Sequence, residues 1–233
     1  MTWINKYPQI LDCIQSASEI VGLLRKNPEY ELEARFGTLN QRFQPGITRK
    51  KMDDIIDMMQ KSNYVIGDDE WKEELDCYFM HDNKYLRTRV KYDSNSMTVN
   101  PETTEKTLVK SVDYILKHEK KEEGSDIRIS LKTENDVCNY PSSVNPILVR
   151  IKQHRRFVTA NKIWAFDFSM TWSGKTRSEA EIKQMNSDPI FEFECELMNT
   201  DILLEKTNEY IACSLLLKMM DFLPENSQLI LSE

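Results

Sequence analysis

A closed, eight-stranded antiparallel β-barrel of the α+β class, with a hydrophilic charged lumen and helices packed outside, is the fold that three features of this 233-residue chain predict. Apolar and polar residues alternate at period two over most of the stretch between residues 73 and 170, the pattern of strands with two unlike faces. Segments near both ends, Glu31-Leu32-Glu33-Ala34-Arg35-Phe36-Gly37 and Phe191-Glu192-Phe193-Glu194-Cys195-Glu196-Leu197, repeat the alternation with carboxylates on one side. The charges of the intervening strands are in matching phase, so closing the sheet removes its edges and gathers those charges inside.

In chain order, residues 6–26 read as a helix with Ile10, Leu11, Ile14, Ile20, Val21, Leu23 and Leu24 roughly on one side, ended by Asn27-Pro28. The first carboxylate strand follows. Thr48 caps a second helix with the stripe Met52, Ile55, Ile56 and Met59. Strands are predicted near 73–80, 84–92, 106–117, 126–134, 147–158 and 162–170, with Asn-containing junctions between several of them. Residues 176–186 form a short helix, and Thr200 caps a long final one over 200–222, before Pro224. The whole of 1–233 is expected to be a single domain with its barrel core at about 29–198, and Pro224 to Glu233 to begin a linker.

The phase of the charges assigns the faces. Tyr85, Arg87, Arg89 and Lys91 lie opposite Leu86, Thr88 and Val90; Arg128, Ser130, Lys132 and Glu134 oppose Ile127, Ile129 and Leu131; Arg150, Lys152, His154 and Arg156 oppose Val149 and Ile151. Asp167 is in phase with Ala165 and against Trp164, Phe166 and Phe168. With the apolar faces under helices, the charged faces line the interior.

On a strand, residues i, i+2 and i+4 share one face at spacings of about 7 Å, so Glu192, Glu194 and Glu196 project together. Glutamate is a poor strand residue and like charges in a row repel. A hard divalent cation, Mg²⁺ or Mn²⁺, relieves that repulsion because it prefers oxygen ligands and completes its shell with a substrate phosphate. A single alternating glutamate strand is ordinarily the solvated face of an antiparallel sheet; two of them, joined by basic strands of matching phase, form a cation site beside a polyanion site.

Composition narrows the alternatives. With a net charge of −7 the surface as a whole repels a nucleic-acid backbone, so an RNA substrate must be gripped locally. Nothing resembles a membrane span or a secretory leader, and an intracellular location with no membrane partner is expected. Five cysteines without CxxC spacing and three histidines offer no zinc framework. Ser173-Gly174-Lys175-Thr176 has the ending of a P-loop, but the glycine required five residues before Gly174 is Ser169. No cysteine is followed six residues later by the arginine of a cysteine phosphatase.

The ExExR segment at Glu31, Glu33 and Arg35, the ExExE segment at Glu192, Glu194 and Glu196, and the basic strands between them resemble the tunnel-fold, metal-dependent RNA 5′-triphosphatases that initiate mRNA capping in fungi, protozoa and large DNA viruses. Residues 29 to 198 carry the resemblance, which is greatest to the compact viral members. It implies a polynucleotide 5′-triphosphatase with accompanying NTPase activity, in which Glu31, Glu33 and Glu196 bind the metal and Glu192 and Glu194 position water and the metal's outer shell. Arg87, Lys152 and Arg156 are then the phosphate clamps, and Arg128 with Glu134 matches an RxSxxxE strand. Asp167 matches an aspartate on the strand before the second glutamate motif, although the basic residue expected two positions earlier is Ala165.

The family's RxKxR strand reads Arg150-Ile151-Lys152-Gln153-His154-Arg155-Arg156, so His154, Arg155 or Arg156 supplies its second basic contact, depending on register. Implied partners are the 5′-triphosphate end of nascent mRNA, NTPs, and guanylyltransferase and methyltransferase domains of one capping apparatus, of which this chain is then an N-terminal part. For a viral protein, the host cytoplasm (the virus factory) and the virion are the expected locations. Two other readings are a sibling tunnel enzyme acting on inorganic triphosphate or small nucleoside triphosphates, whose first motif is more often ExExK, and a noncatalytic barrel that binds cations or polyphosphate.

Overall fold

Each barrel strand carries an apolar row and a charged row, and the two need different surroundings. The computed structural model describes residues 10–67, 70–92, 101–119, 123–137, 144–225 and 227–232; the helix residues expected at 6–9, and Cys138, lie outside them. The elements are α1 (Ile10–Lys26), β1 (Glu31–Leu39), β2 (Phe43–Pro45), α2 (Arg49–Lys61), β3 (Val65–Gly67), β4 (Lys72–His81), β5 (Lys84–Lys91), β6 (Glu102–Lys117), β7 (Asp126–Asp136), β8 (Leu148–Thr159), β9 (Trp164–Gly174), α3 (Arg177–Asn186), β10 (Ile190–Leu197), α4 (Ile202–Glu205), α5 (Asn208–Met220) and β11 (Gln228–Leu231).

Antiparallel pairing runs β10-β9-β8-β4-β5-β6-β7-β1. β1 then pairs back onto β10, with Glu33 opposite Glu196 and Arg35 opposite Glu194, so the eight predicted strands close into a barrel. β2, β3 and β11 extend it outside the ring, on β1, β8 and β6. The β4–β5 hairpin turns on Asp82 and Asn83, both at positive φ (49° and 63°), which is the two-residue turn whose twist matches the strands it joins.

The hydrophobic core lies between the barrel's outer surface and the helices. Leu32, Ala34 and Phe36 of β1, Ile127, Ile129 and Leu131 of β7, and Phe193, Cys195 and Leu197 of β10 are buried in one cluster with Ile20 and Leu24 of α1 and Leu215, Leu216 and Met219 of α5. Phe193 is its hub, 5.0 Å from the Phe168 ring, 5.4 Å from Phe222 and 5.5 Å from Phe36. Burying each such side chain stabilises the fold by roughly 1.5–3 kcal/mol. A smaller cluster of Leu75, Val149, Ile151 and Trp172 is covered by Ala180 of α3. Thr48 caps α2 as expected, accepting from the Lys51 amide at 3.2 Å.

Three local readings change. β6 does not keep one parity, because its register on β7 shifts between Leu108 and Lys110. One inserted residue turns the following side chains over, so Lys106 faces inward while Lys110 reaches Glu19 of α1 at 3.1 Å. The final helix is not continuous from Thr200: a single turn, α4, ends at Lys206, and α5 restarts under Thr207, whose side chain accepts from the Tyr210 amide at 3.2 Å. Arg25 of α1 holds that break through the Lys206 carbonyl at 2.6 Å and Asn208 Oδ1 at 2.8 Å.

The segment expected to begin a linker instead contains β11, paired to β6 with Leu229 buried. The Ser173–Thr176 stretch keeps its expected form, a strand end followed by a helix cap, with Thr176 accepting from the Glu179 amide at 3.2 Å, and Lys175 is exposed.

Because the cap of the long C-terminal segment is Thr207, Thr207→Ala is expected to cost about 1 kcal/mol in urea unfolding and Thr200→Ala clearly less. The reverse ranking would return the cap to Thr200.

Candidate active site in the barrel lumen

Strand parity sends the charged rows of all eight strands into one lumen with a volume of about 700 Å³. Ten carboxylates and ten lysine or arginine side chains line it, and they are partly segregated, with Glu74 and Asp76 of β4 standing between the basic rows of β8 and β5. Five of the carboxylates, Glu31, Glu33, Glu192, Glu194 and Glu196, stand on the adjacent strands β1 and β10. Arg150, Lys152, His154 and Arg156 stand on β8, and Arg87, Arg89 and Lys91 on β5. Ion pairs bridge these walls. Arg35 Nε lies 2.8 Å from Glu33 and its Nη2 3.1 Å from Glu194; Lys132 binds Glu33, and Lys106 joins Glu31 to Glu134, which also takes Arg87. On the opposite side Arg156 grips Asp167 at 2.7 and 2.6 Å and Glu196 at 2.9 Å, while His154 Nε2 lies 2.7 Å from Asp167. Glu192 accepts from Thr171 Oγ1 at 3.0 Å.

These contacts set the ionisation of the carboxylates. Burial pushes Glu33 up, but Arg35, Lys132 and Lys106 outweigh it and hold the carboxyl at about 2. Asp167 is also buried, and the bonds from His154 and Arg156 hold it at about 2. Glu196 goes the other way: burial, opposed by Arg156 and reinforced by Asp167, Glu31 and Glu194, pushes it up to about 7.

A divalent cation fits this wall in chemistry and in backbone placement. Glu33 and Glu196 are direct cross-strand partners and Glu31 is two residues along the same face, a set of hard oxygen donors. Their side chains are turned to Lys132, Arg156 and Lys106, and among the described residues no three acidic, histidine or cysteine groups are gathered closely enough to hold a metal.

The structure brings Glu31, Glu33, Glu192, Glu194, Glu196, Arg87, Glu134, Lys152, Arg156 and Asp167 to the lumen. Arg128 is not among the lining residues; Asp113 holds it with two bonds of 2.7 Å and its guanidinium lies 4.6 Å over the Phe43 ring. Its parity is inward, but the β6 shift places Asp113 directly opposite it. β8 runs in unbroken register through His154↔Ser169, Arg155↔Phe168 and Arg156↔Asp167. His154 and Arg156 thus face inward, and Arg155 packs outside, 4.8 Å over the Phe157 ring.

Lys106, Lys132 and Arg150 are lumen cations with no role assigned from the sequence, although the last two stood in the inward alternation. Arg150 and Lys152 make no ion pair among the described residues, and Arg150 Nε is buried without a hydrogen-bond partner. Their cross-strand partners on β4, Asp76 and Glu74, are turned to Arg89 of β5, which leaves Arg150 and Lys152 able to meet an anion.

No protein-family model and no curated protein matches the sequence. Among solved structures, the chain is similar to the S. pombe Pct1 RNA triphosphatase, with a TM-score of 0.64 at 17% identity over 91% of this chain and 89% of that one. Pct1 in complex with the Spt5 CTD gives a TM-score of 0.63 at 17% identity, over 91% of this chain and 90% of that one. The RNA triphosphatase domain of the trifunctional mimivirus mRNA capping enzyme gives 0.54 at 16% identity, over 90% of this chain and 98% of that one. The fold expected from the sequence, a triphosphate tunnel with helices outside, is the fold of these proteins.

Asp167, ionised and held at about 2 against an ordinary 3.8, stabilises the folded chain above about pH 4, and that contribution is lost as pH falls towards 2. Asp167→Asn is therefore expected to lower unfolding free energy by about 2 kcal/mol at pH 7 and by roughly half of that near pH 3. Urea denaturation at the two pH values measures it; an equal loss at both would assign the effect to packing.

Proposed function

We propose that this chain is a divalent-cation-dependent polynucleotide 5′-triphosphatase that removes the γ-phosphate from the 5′-triphosphate end of nascent mRNA, and also hydrolyses free NTPs. The observation that carries this reading is a single lumen with a carboxylate wall on β1 and β10 and a basic row on β8 whose Arg150 and Lys152 form no ion pair among the described residues, the facing Asp76 and Glu74 being held by Arg89. The likeness in fold to Pct1 and to the mimivirus domain supports it. Arg35 at the end of the first motif favours an RNA end over inorganic triphosphate.

Glu31, Glu33 and Glu196 would hold Mg²⁺ or Mn²⁺, which would neutralise the γ-phosphate oxygens. Lys152 and Arg150 meet the phosphates through charge-assisted hydrogen bonds, and Arg87 and Arg156 join them as the polyanion competes with Glu134 and Glu196. Glu194, with Glu192 behind it, accepts hydrogen bonds from the attacking water and orients it in line with the scissile P–O bond. Asp167 positions Arg156 and Glu134 positions Arg87, whereas Arg128 braces β7 against β6. The γ-phosphoryl group leaves as inorganic phosphate, and the RNA retains a 5′-diphosphate.

That product is the substrate of a guanylyltransferase. The mimivirus neighbour is described as trifunctional and Pct1 as a complex with the Spt5 CTD; on that analogy the partners assigned here are guanylyltransferase and methyltransferase activities of one capping apparatus, and the chain is its triphosphatase domain.

Glu31→Ala, Glu33→Ala, Glu194→Ala and Glu196→Ala are each expected to lower phosphate release from triphosphate-ended RNA by on the order of 10²-fold or more. Lys152→Ala should act likewise, whereas Arg155→Ala should lower the melting temperature more than kcat, since Arg155 packs outside the lumen. Two carboxylate variants at near wild-type rate, or RNA with a 5′-monophosphate as an equally good substrate, would overturn the assignment.

A further inference from the structure

The lumen contains two aromatic rings that phosphate chemistry does not use. Tyr78 of β4 and Tyr85 of β5 both line the cavity, and their rings stack at 5.4 Å with an interplanar angle of 28°. The two residues sit diagonally across the hairpin near its turn, where Met80 pairs with Tyr85 and Tyr78 with Arg87. Tyr85 is 40% exposed while lining the cavity, which places it at an opening. The Arg150 guanidinium lies 5.4 Å over the Tyr78 ring, and its buried Nε has no hydrogen-bond partner.

A stacked aromatic pair with a guanidinium beside it is the element by which proteins hold a nucleobase without reading its identity, since every base offers a π-face and the cation strengthens the stack. The pair is also joined to the acidic wall. Tyr78 is the cross-strand partner of Arg87, Arg87 binds Glu134, and Glu134 shares Lys106 with Glu31. Tripolyphosphate alone would have no use for two tyrosines at the mouth of a charged tunnel.

We propose that Tyr78 and Tyr85, with Arg150 beside them, are a stacking platform for the 5′-terminal nucleobase of the substrate. The platform selects nucleotide triphosphates over inorganic ones and tolerates any base. This inference rests on the triphosphatase reading of the same lumen for its choice of substrate.

Two measurements separate the inference from that reading. The first compares kcat/KM for ATP and for inorganic tripolyphosphate in the wild type, Tyr85→Ala, Tyr85→Trp and Tyr78→Ala. The preference for ATP over tripolyphosphate should fall about tenfold in the alanine variants, the size of effect that loss of one base–aromatic stack produces, and should return in Tyr85→Trp. Losses of equal size on both substrates, or none on either, would overturn the platform. The second needs no turnover: a 5′-triphosphorylated dinucleotide with 2-aminopurine as its first base should be quenched on binding to the wild type and about tenfold more weakly bound by Tyr85→Ala. Quenching in a protein that hydrolyses nothing would keep the platform and remove the triphosphatase reading. Absence of quenching in a wild type that does hydrolyse ATP would remove the platform alone.

Discussion

The constraint on which the rest of this structure depends is the near balance of opposite charges enclosed by the barrel. Burying a carboxylate or an ammonium without a partner is expensive, and the cost falls only if each meets an opposite charge in good geometry. Ten carboxylates against ten lysine and arginine side chains make that possible inside one lumen, although the protein as a whole is acidic. With the interior polar, the apolar faces of the strands must be buried outside, and this is why α1, α2 and α5 pack on the barrel and why Phe193 centres an aromatic cluster on its outer surface.

The same balance explains how the lumen can be stable and still bind. Arg35, Lys106, Lys132 and Arg156 occupy the carboxylates that a cation needs, and Glu134 and Glu196 occupy guanidinium groups that a polyphosphate needs. On the proposed reading, a cation and a polyphosphate entering together would exchange partners with these internal pairs, which limits the cost of uncovering any one charge. On the same reading, Arg150 and Lys152, which form no ion pair among the described residues, would give the polyphosphate its first hold.

The sequence made the barrel legible because period-two alternation runs unbroken through the strands of the ring other than β6, and each predicted strand lies within a few residues of its observed bounds. Parity also separated Arg155 from Arg156 once the register of β8 proved continuous. Three kinds of information were not in the pattern. The β6 shift at Leu108-Val109 falls between two apolar residues, so alternation gives no sign of it, and it relocates Asp113 to face Arg128. The break before α5 depends on Arg25 bonding to it from α1, a tertiary contact that no local cap signal contains. The pairing of Lys106 and Lys132 with the glutamates of β1 follows from how far each strand is offset around the ring, and alternation fixes which way a side chain points, never how deep it sits.

That the carboxylate wall is a cation site can be measured without turnover. Binding of Mn²⁺ followed by electron paramagnetic resonance, in the wild type and in folded Glu33→Gln and Glu196→Gln variants, isolates the wall from the phosphate clamps. The wild type should bind Mn²⁺, and each variant should bind it more weakly by on the order of tenfold or more. Undiminished binding in both variants would contradict the assignment of Glu33 and Glu196 as its ligands.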